Sequence, residues 1–355
     1  MNGRQTILVL IILFAGLAPA AARADAVPVV RAADERLPPD VPGELKRFIG
    51  EYRSADAQLT VYESGGELFA KGLGLPGAPL QRRSATRFSI AQDGGRPPIP
   101  VEFQLNQDLQ AAAVVVGTSR LQFKDIGRDV VEKIRAGVKA DTGQLRASAL
   151  AATPPAEPPA KRAFDLVDLL TVDPTIKLDI RYAGTNNFIG FPLYERPAAY
   201  LQRPAAEALG RVQRSLAANG YGLLIHDGYR PWFVTKMFWD ATPESAHMFV
   251  ADPTQGSRHN RGCAVDLTLY ELKSGNAVEM TGRYDEMSPR SYADYVGGTS
   301  RQRWFRELLR GEMEAQGFTV YPEEWWHFDY KDWSDYAIGT ATFSQLGAQP
   351  HAAKR

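Results

Sequence analysis

The stretch Ser257-Arg258-His259-Asn260-Arg261-Gly262-Cys263-Ala264-Val265-Asp266-Leu267-Thr268-Leu269-Tyr270 decides how the C-terminal half of this chain folds. Cys263, Val265, Leu267 and Leu269 alternate with Ala264, Asp266, Thr268 and Tyr270, the period-two pattern of a β-strand. The alternation predicts a half-buried strand with Asp266 on the face opposite the four apolar residues. Gly262 permits a tight turn just before that strand. His259 can therefore reach the point to which Asp266 is delivered, and an imidazole beside a carboxylate suits a metal ion.

A second fragment, Glu323-Glu324-Trp325-Trp326-His327-Phe328, offers another imidazole and a spare carboxylate. The chain has only five histidines, so two of them in such settings carry weight. A catalytic zinc takes three His or Asp/Glu ligands and leaves a position for water, which a nearby carboxylate can deprotonate. Residues three apart, as Glu324 and His327 are, share a face of a helix but lie on opposite faces of an ideal strand. Trp325 and Trp326 favour a strand, so the reading requires a bend or bulge near Glu324. The competing reading is an aromatic core strand with a hydrogen-bonded histidine. Arg230, in Asp227-Gly228-Tyr229-Arg230-Pro231, can bind a carbonyl oxygen as it becomes an oxyanion, or can pair structurally with Asp227.

Around these fragments the segment 164–343 reads as α+β. Ala205, Leu209, Val212 and Leu216 sit at helical spacing, with Asn219-Gly220 as the stop. Tyr221 to Ile225 is an apolar strand, a helix begins near Pro231, and Phe305, Leu308, Leu309 and Met313 mark another helix ending at Gly317. Residues 45–135 read as all-β: short strands around Leu59–Tyr62, Leu68–Ala70, Thr86–Ile90, Val101–Leu105, Ala113–Val116 and Arg120–Phe123, separated by glycine turns, argue a small barrel or sandwich. Between them, residues 147–161 read as a Pro/Ala-rich linker.

The three motifs carry a family resemblance. Ser257-x-His259-x-x-Gly262-x-Ala264-x-Asp266, Glu324-x-x-His327 and Asp227-Gly228-Tyr229-Arg230-Pro231 resemble the D-alanyl-D-alanine dipeptidases of the VanX type, within the zinc D,D-peptidases. Asp179-Ile180-Arg181-Tyr182, Asn187-Phe188-Ile189-Gly190 and Tyr284-Asp285-Glu286-Met287-Ser288 extend the likeness. The resemblance implies a central antiparallel sheet with flanking helices and one zinc held by His259, Asp266 and His327. It implies Glu324 as general base and Arg230 as stabiliser of the tetrahedral intermediate. Tyr182, Ser257 and Asp285 would anchor a small D-amino-acid dipeptide, Asp285 at its ammonium. The run Phe48-Ile49-Gly50-Glu51-Tyr52 resembles the lipocalin-like β-domains appended to some secreted hydrolases. Such a domain is one place where a homo-oligomer could form.

Residues 1–24 read as a secretory signal peptide: Arg4, an apolar run from Ile7 to Leu17, then Ala22-Arg23-Ala24. The expectation is an exported protein, periplasmic, or secreted if the host lacks an outer membrane. Formal net charge is zero with no basic cluster, which disfavours nucleic acid and anionic membranes as partners, and no later stretch could span a bilayer. The single cysteine, Cys263, excludes an intramolecular disulfide and reads as a small buried residue rather than a nucleophile. His226 and His247 read as structural or surface groups, and His351 lies in a tail. Two other functions stay open at this stage: a D,D- or L,D-carboxypeptidase acting on longer wall peptides, and a wall-binding protein with a vestigial metal site.

Overall fold

The computed structural model describes residues 36–138 and 141–347. The expected signal peptide at 1–24 and His351 lie outside the described residues. Two hydrophobic cores are present, one in an N-terminal β-sheet and one in the C-terminal α+β region.

The N-terminal sheet has nine strands: β1 Gly50–Arg53, β2 Gln58–Ser64, β3 Glu67–Gly72, β4 Leu75–Pro79, β5 Gln81–Arg82, β6 Arg87–Ile90, β7 Ile99–Leu105, β8 Ala111–Val116 and β9 Ser119–Lys124. Their order is β4-β3-β2-β1-β9-β8-β7-β6-β5, antiparallel wherever they pair. The two edge strands are consecutive in the chain and separated only by Leu80, so the sheet is nearly closed. Closure leaves little exposed edge. Alternate residues such as Leu59 and Val61 point inward, where Phe48 packs on Phe103 at 4.5 Å and on Phe88 at 5.4 Å. Gly72 at φ +120° is required, because a Cβ there would sit 2.3 Å from the Gln58 carbonyl oxygen. The sequence reading did not resolve β4; proline and glycine within Leu75–Pro79 suit an edge strand and hide its periodicity.

Between the two cores, the helices Arg128–Val138 and Thr142–Ala151 place Ile134, Val138 and Ala149 in the C-terminal core, not in the β-sheet. Residues 147–151 of the expected linker are therefore helical. Ala147-Ser148-Ala149-Leu150-Ala151 is good helix-forming sequence, and the Pro154-Pro155 pair follows its end.

The C-terminal region is built on a five-stranded sheet. After β10 Leu166–Asp168 come β11 Lys177–Leu178, β12 Tyr200–Gln202, β13 Tyr221–Asp227, β14 Ala264–Glu271, β15 Phe318–Tyr321 and β16 Glu324–Tyr330, and the sheet order is β11-β13-β14-β16-β15. β10 and β12 pair separately. The expected all-antiparallel sheet needs one correction: β11 runs parallel to β13. A two-residue strand shows no period in the sequence, so its direction was not legible. Helix Arg203–Ala218 packs on β13, and Ser300–Glu314 on β14, β15 and β16. A second correction concerns β14, expected half-buried but buried on both faces along all but its last residue. One face meets the helices; on the other, Tyr284 covers the sheet, its ring 4.6 Å from His226 and its hydroxyl bonded to Asp266.

Buried polar contacts join barrel to C-terminal region. The Glu63 carboxylate accepts from the backbone N–H of Ser300 at 2.7 Å and from its hydroxyl at 3.1 Å, at the first turn of helix Ser300–Glu314. Arg303 donates to the Glu63 carbonyl at 2.6 Å, and the Tyr295 hydroxyl to Glu51. A carboxylate at a helix N-terminus is favourable for both its orphan N–H groups and its dipole. Glu63→Ala is expected to lower unfolding free energy by about 2 kcal/mol, measured by denaturant titration, with the catalytic constants unchanged.

Candidate metal centre

The turn His259–Arg261 ends at Gly262, φ +69°, two residues before β14 begins. This carries His259 back over the sheet, while β14 pairs Asp266 directly with His327 of β16. The anticipated bulge is present. Val320 pairs with Phe328 but Tyr321 with Glu324, so the three residues of β16 between those pairs have no partner on β15. Through that irregularity Glu324 Oε2 comes within 3.7 Å of His327 Nδ1. Among the described residues His259, Asp266 and His327 are the group able to hold one ion.

The hydrogen bonds behind the ligands fix which atoms face inward. His259 Nδ1–H donates to the Gly228 carbonyl at 2.7 Å, since a carbonyl can only accept, and this leaves Nε2 as a lone pair. His327 Nε2–H donates to Asp329 at 3.0 Å, leaving Nδ1. The Tyr284 hydroxyl donates to Asp266 Oδ2 at 2.9 Å and frees Oδ1. His259 Nε2 and His327 Nδ1 then lie 3.1 Å apart, and Asp266 Oδ1 is 3.2 and 3.0 Å from them. With both imidazoles neutral, three buried acceptor atoms converge with no donor between them, so the place demands a cation, whether a metal ion or a proton. Separations of this size suit atoms bound to one ion at about 2 Å each, and two imidazoles with one carboxylate are a zinc donor set. The electrostatics agree. Burial opposes a charged His327, yet Asp329 and Asp266 hold its pKa well above the ordinary imidazole value. Burial likewise opposes a charged Asp266, and the two histidines hold it well below the carboxylate range.

The centre opens on a cavity of about 510 Å³. Glu324 lines it and Glu323 does not, which separates the two neighbouring carboxylates. Burial pushes Glu324 up to about 7, against the pull of His327. Arg230 also lines the cavity; its Nη2 is 2.7 Å from Asp227 and 3.8 Å from Asp266. The ion pair with Asp227 is thus real, and it aims the guanidinium at the centre. Asp227 is itself held by the Tyr194 hydroxyl at 2.6 Å and the Gly228 N–H at 2.9 Å.

The other expected anchors are close by. Tyr182, buried, donates to Asp285 at 3.0 Å. Asp285 adopts φ +58°, a left-handed conformation that aspartate tolerates better than most residues, and lines the cavity. Burial raises its pKa well above the usual value, and among the described residues it has no ion-pair partner. Ser257 accepts from the His259 N–H at 3.2 Å. Of the two histidines set aside, His226 is buried under Tyr284 and held neutral, its pKa lowered to about 4 by burial, and His247 stacks on Trp239 at 3.8 Å. Cys263 is buried, and burial pushes its thiol up.

Sequence reasoning missed Asp329, Tyr284, Asp227 and Tyr194 as supports of the site. Asp329 had a local signal: two residues beyond His327 on a strand, it shares that residue's face. Asp329→Asn should weaken zinc binding about 10–100-fold, the usual effect of losing a ligand-orienting carboxylate. Competition with a chromophoric chelator reads this directly.

A buried His–Asp–His donor set facing a glutamate and a guanidinium across a small cavity defines a metal-dependent hydrolase. Residues 162–344 match the family described as D-ala-D-ala dipeptidase, the M15 peptidases. The D-alanyl-D-alanine dipeptidase of Escherichia coli K12 is 34% identical over 180 residues, spanning 51% of this chain and 92% of that protein. Its counterparts in Enterococcus faecium and Streptomyces coelicolor are 36% and 35% identical, each over 44% of this chain and 87% of the relative. The chain belongs to the D-ala-D-ala dipeptidase family of M15 metallopeptidases, and is a peptidase. The nine-stranded sheet lies outside the residues matched to the family.

Proposed function

We propose that this protein is a zinc-dependent dipeptidase that hydrolyses D-Ala-D-Ala or closely related D,D-dipeptides. The observation that carries the reading is the convergence of His259 Nε2, Asp266 Oδ1 and His327 Nδ1 beside Glu324 and Arg230 in one cavity of about 510 Å³. The dipeptidase names of its relatives support the substrate.

His259, Asp266 and His327 would hold the zinc. When bound it supplies Lewis acidity, which brings the pKa of a water toward ~7 and polarises a carbonyl. Glu324 would take the proton from the attacking water and then deliver it to the leaving amine, tasks suited to a carboxyl poised near neutrality. Arg230, kept in place by Asp227, donates to the carbonyl oxygen as negative charge develops there. Asp285 receives the ammonium of the dipeptide and thereby gains the cation its buried carboxylate lacks, while Tyr182 orients that carboxylate. Ser257 lines the same cavity as a further polar anchor. The export signal read in residues 1–24 supports a location outside the cytoplasm, where its substrates would be peptides released from the wall.

The test is amino-acid release by the purified zinc-loaded protein from D-Ala-D-Ala, D-Ala-D-Lac, L-Ala-L-Ala and a wall pentapeptide. Cleavage of D-Ala-D-Ala with the pentapeptide intact is the expected result. Release of terminal D-Ala from the pentapeptide alone would replace this reading with a carboxypeptidase and remove the role given to Asp285.

A further inference from the structure

Asp285, set against the substrate ammonium in the proposed function, lies in residues 281–288, a segment with neither helix nor strand. Asp285, Glu286 and Met287 of that segment line the active-site cavity, and Tyr284 bonds to Asp266. Asp285 holds φ +58°. A residue other than glycine keeps a left-handed conformation only where its surroundings over-determine it. What holds this segment therefore decides where the carboxylate points.

Part of the support is local. Glu286 accepts from the Arg283 N–H at 3.0 Å and from the Ser288 hydroxyl at 2.7 Å. The rest comes from the N-terminal part of the chain. Residues 125–127 join β9 to helix Arg128–Val138 and meet the segment at two points. Asp125 pairs with Arg283. Gly127, at φ +82°, lies so close that a Cβ there would sit 3.1 Å from the Met287 carbonyl oxygen and 3.2 Å from the Ser288 Cβ. Gly127 is itself fixed, because its carbonyl accepts from the Val131 N–H at 3.3 Å in the first turn of the helix. Two further pairs secure the flanks: Lys46 with Glu279 at 2.7 Å before the segment, and Glu51 with Tyr295 after it. A binding group has to be held to within about 0.5 Å by the residues behind it, and a joint framed by a strand and a helix is stiff enough to do so.

We propose that Asp125 and Gly127 are positioning residues for substrate binding: the joint that follows the barrel holds segment 281–288 so that Asp285 meets the ammonium of the dipeptide. The joint lies outside residues 162–344, which match the dipeptidase family, so this support belongs to the N-terminal part of the chain. The inference rests on the ammonium role given to Asp285 above.

The test compares KM and kcat for D-Ala-D-Ala across variants of the full-length protein at equal zinc content, with Asp285→Asn as the reference. Asp285→Asn should raise KM about tenfold or more, the loss of a charge-assisted contact. Gly127→Ala sets a Cβ against Met287 and strains its own backbone; it should raise KM about three- to tenfold and leave kcat within about twofold, the sign of lost binding shared by ground and transition states. Asp125→Lys brings two cations together in a partly exposed pair and should raise KM about threefold. Adding Arg283→Asp should return KM to the parent value. A loss of fold stability alone would neither act through KM nor respond to the charge swap. Asp125→Lys decides the matter if Gly127→Ala does not fold. Parental KM in both brace variants, with KM raised in Asp285→Asn, overturns this inference and leaves the peptidase reading standing. Parental KM in Asp285→Asn removes the ammonium anchor from that reading, and this inference with it.

Discussion

Glu324→Gln is expected to lower kcat for D-Ala-D-Ala by about 10²–10⁴-fold, the contribution of a positioned general base, with zinc still bound at one ion per chain. The variant keeps the shape of the side chain and removes its basicity. Glu324 is not among the three convergent ligand atoms, so metal content should not change. The bulge in β16 that turns Glu324 toward His327 is a backbone feature and should survive the substitution. Activity and metal content measured on one preparation check both halves. Retained turnover would remove Glu324 from the reaction, and lost zinc would make it a ligand.

Asp266→Ala should abolish both zinc binding and turnover, and should destabilise the protein more than any other change at the centre. Its carboxylate meets both imidazoles at 3.0 and 3.2 Å and accepts from Tyr284 at 2.9 Å, all in the interior of the sheet. Removing it leaves the Tyr284 hydroxyl without that acceptor and deprives Arg230 of a nearby anion. Breaking a buried charged network by deleting one member costs about 3–5 kcal/mol. A metal ion bound to the parent would add stability by mass action, which the variant would not gain. Thermal melting with and without a chelator separates the two contributions: the parent should lose stability on chelation, and the variant should not respond. A parent indifferent to chelation would argue that these residues hold no metal.

Much of the centre was readable before any fold was known, for a definite reason. The ligand residues sit in short motifs whose chemistry depends on residue type and near neighbours: a glycine turn, a period-two strand, and carboxylates and imidazoles a few residues apart. The requirement for a bulge near Glu324 followed from the conflict between a three-residue spacing and strand geometry. The supports were less visible. Tyr284 reaches Asp266 from a segment without regular structure, and Asp227 looked like a competitor for Arg230, although it is what holds that guanidinium in place.

What the sequence by itself determined is local: the β-rich texture of the N-terminal part, the apolar strand carrying Asp266, the ends of the long helices at their glycines, and the side-chain types of the candidate metal centre. Periodicity, turn chemistry and ligand chemistry all act over a few residues, so they are written in the chain. Only the tertiary structure decided which way Glu324 faces, that β11 runs parallel to β13, that helices Arg128–Val138 and Thr142–Ala151 join the C-terminal core, and that Glu63 caps a helix 237 positions away. Each of these depends on pairing between distant segments, where many registers satisfy the same local pattern and burial of the whole selects one.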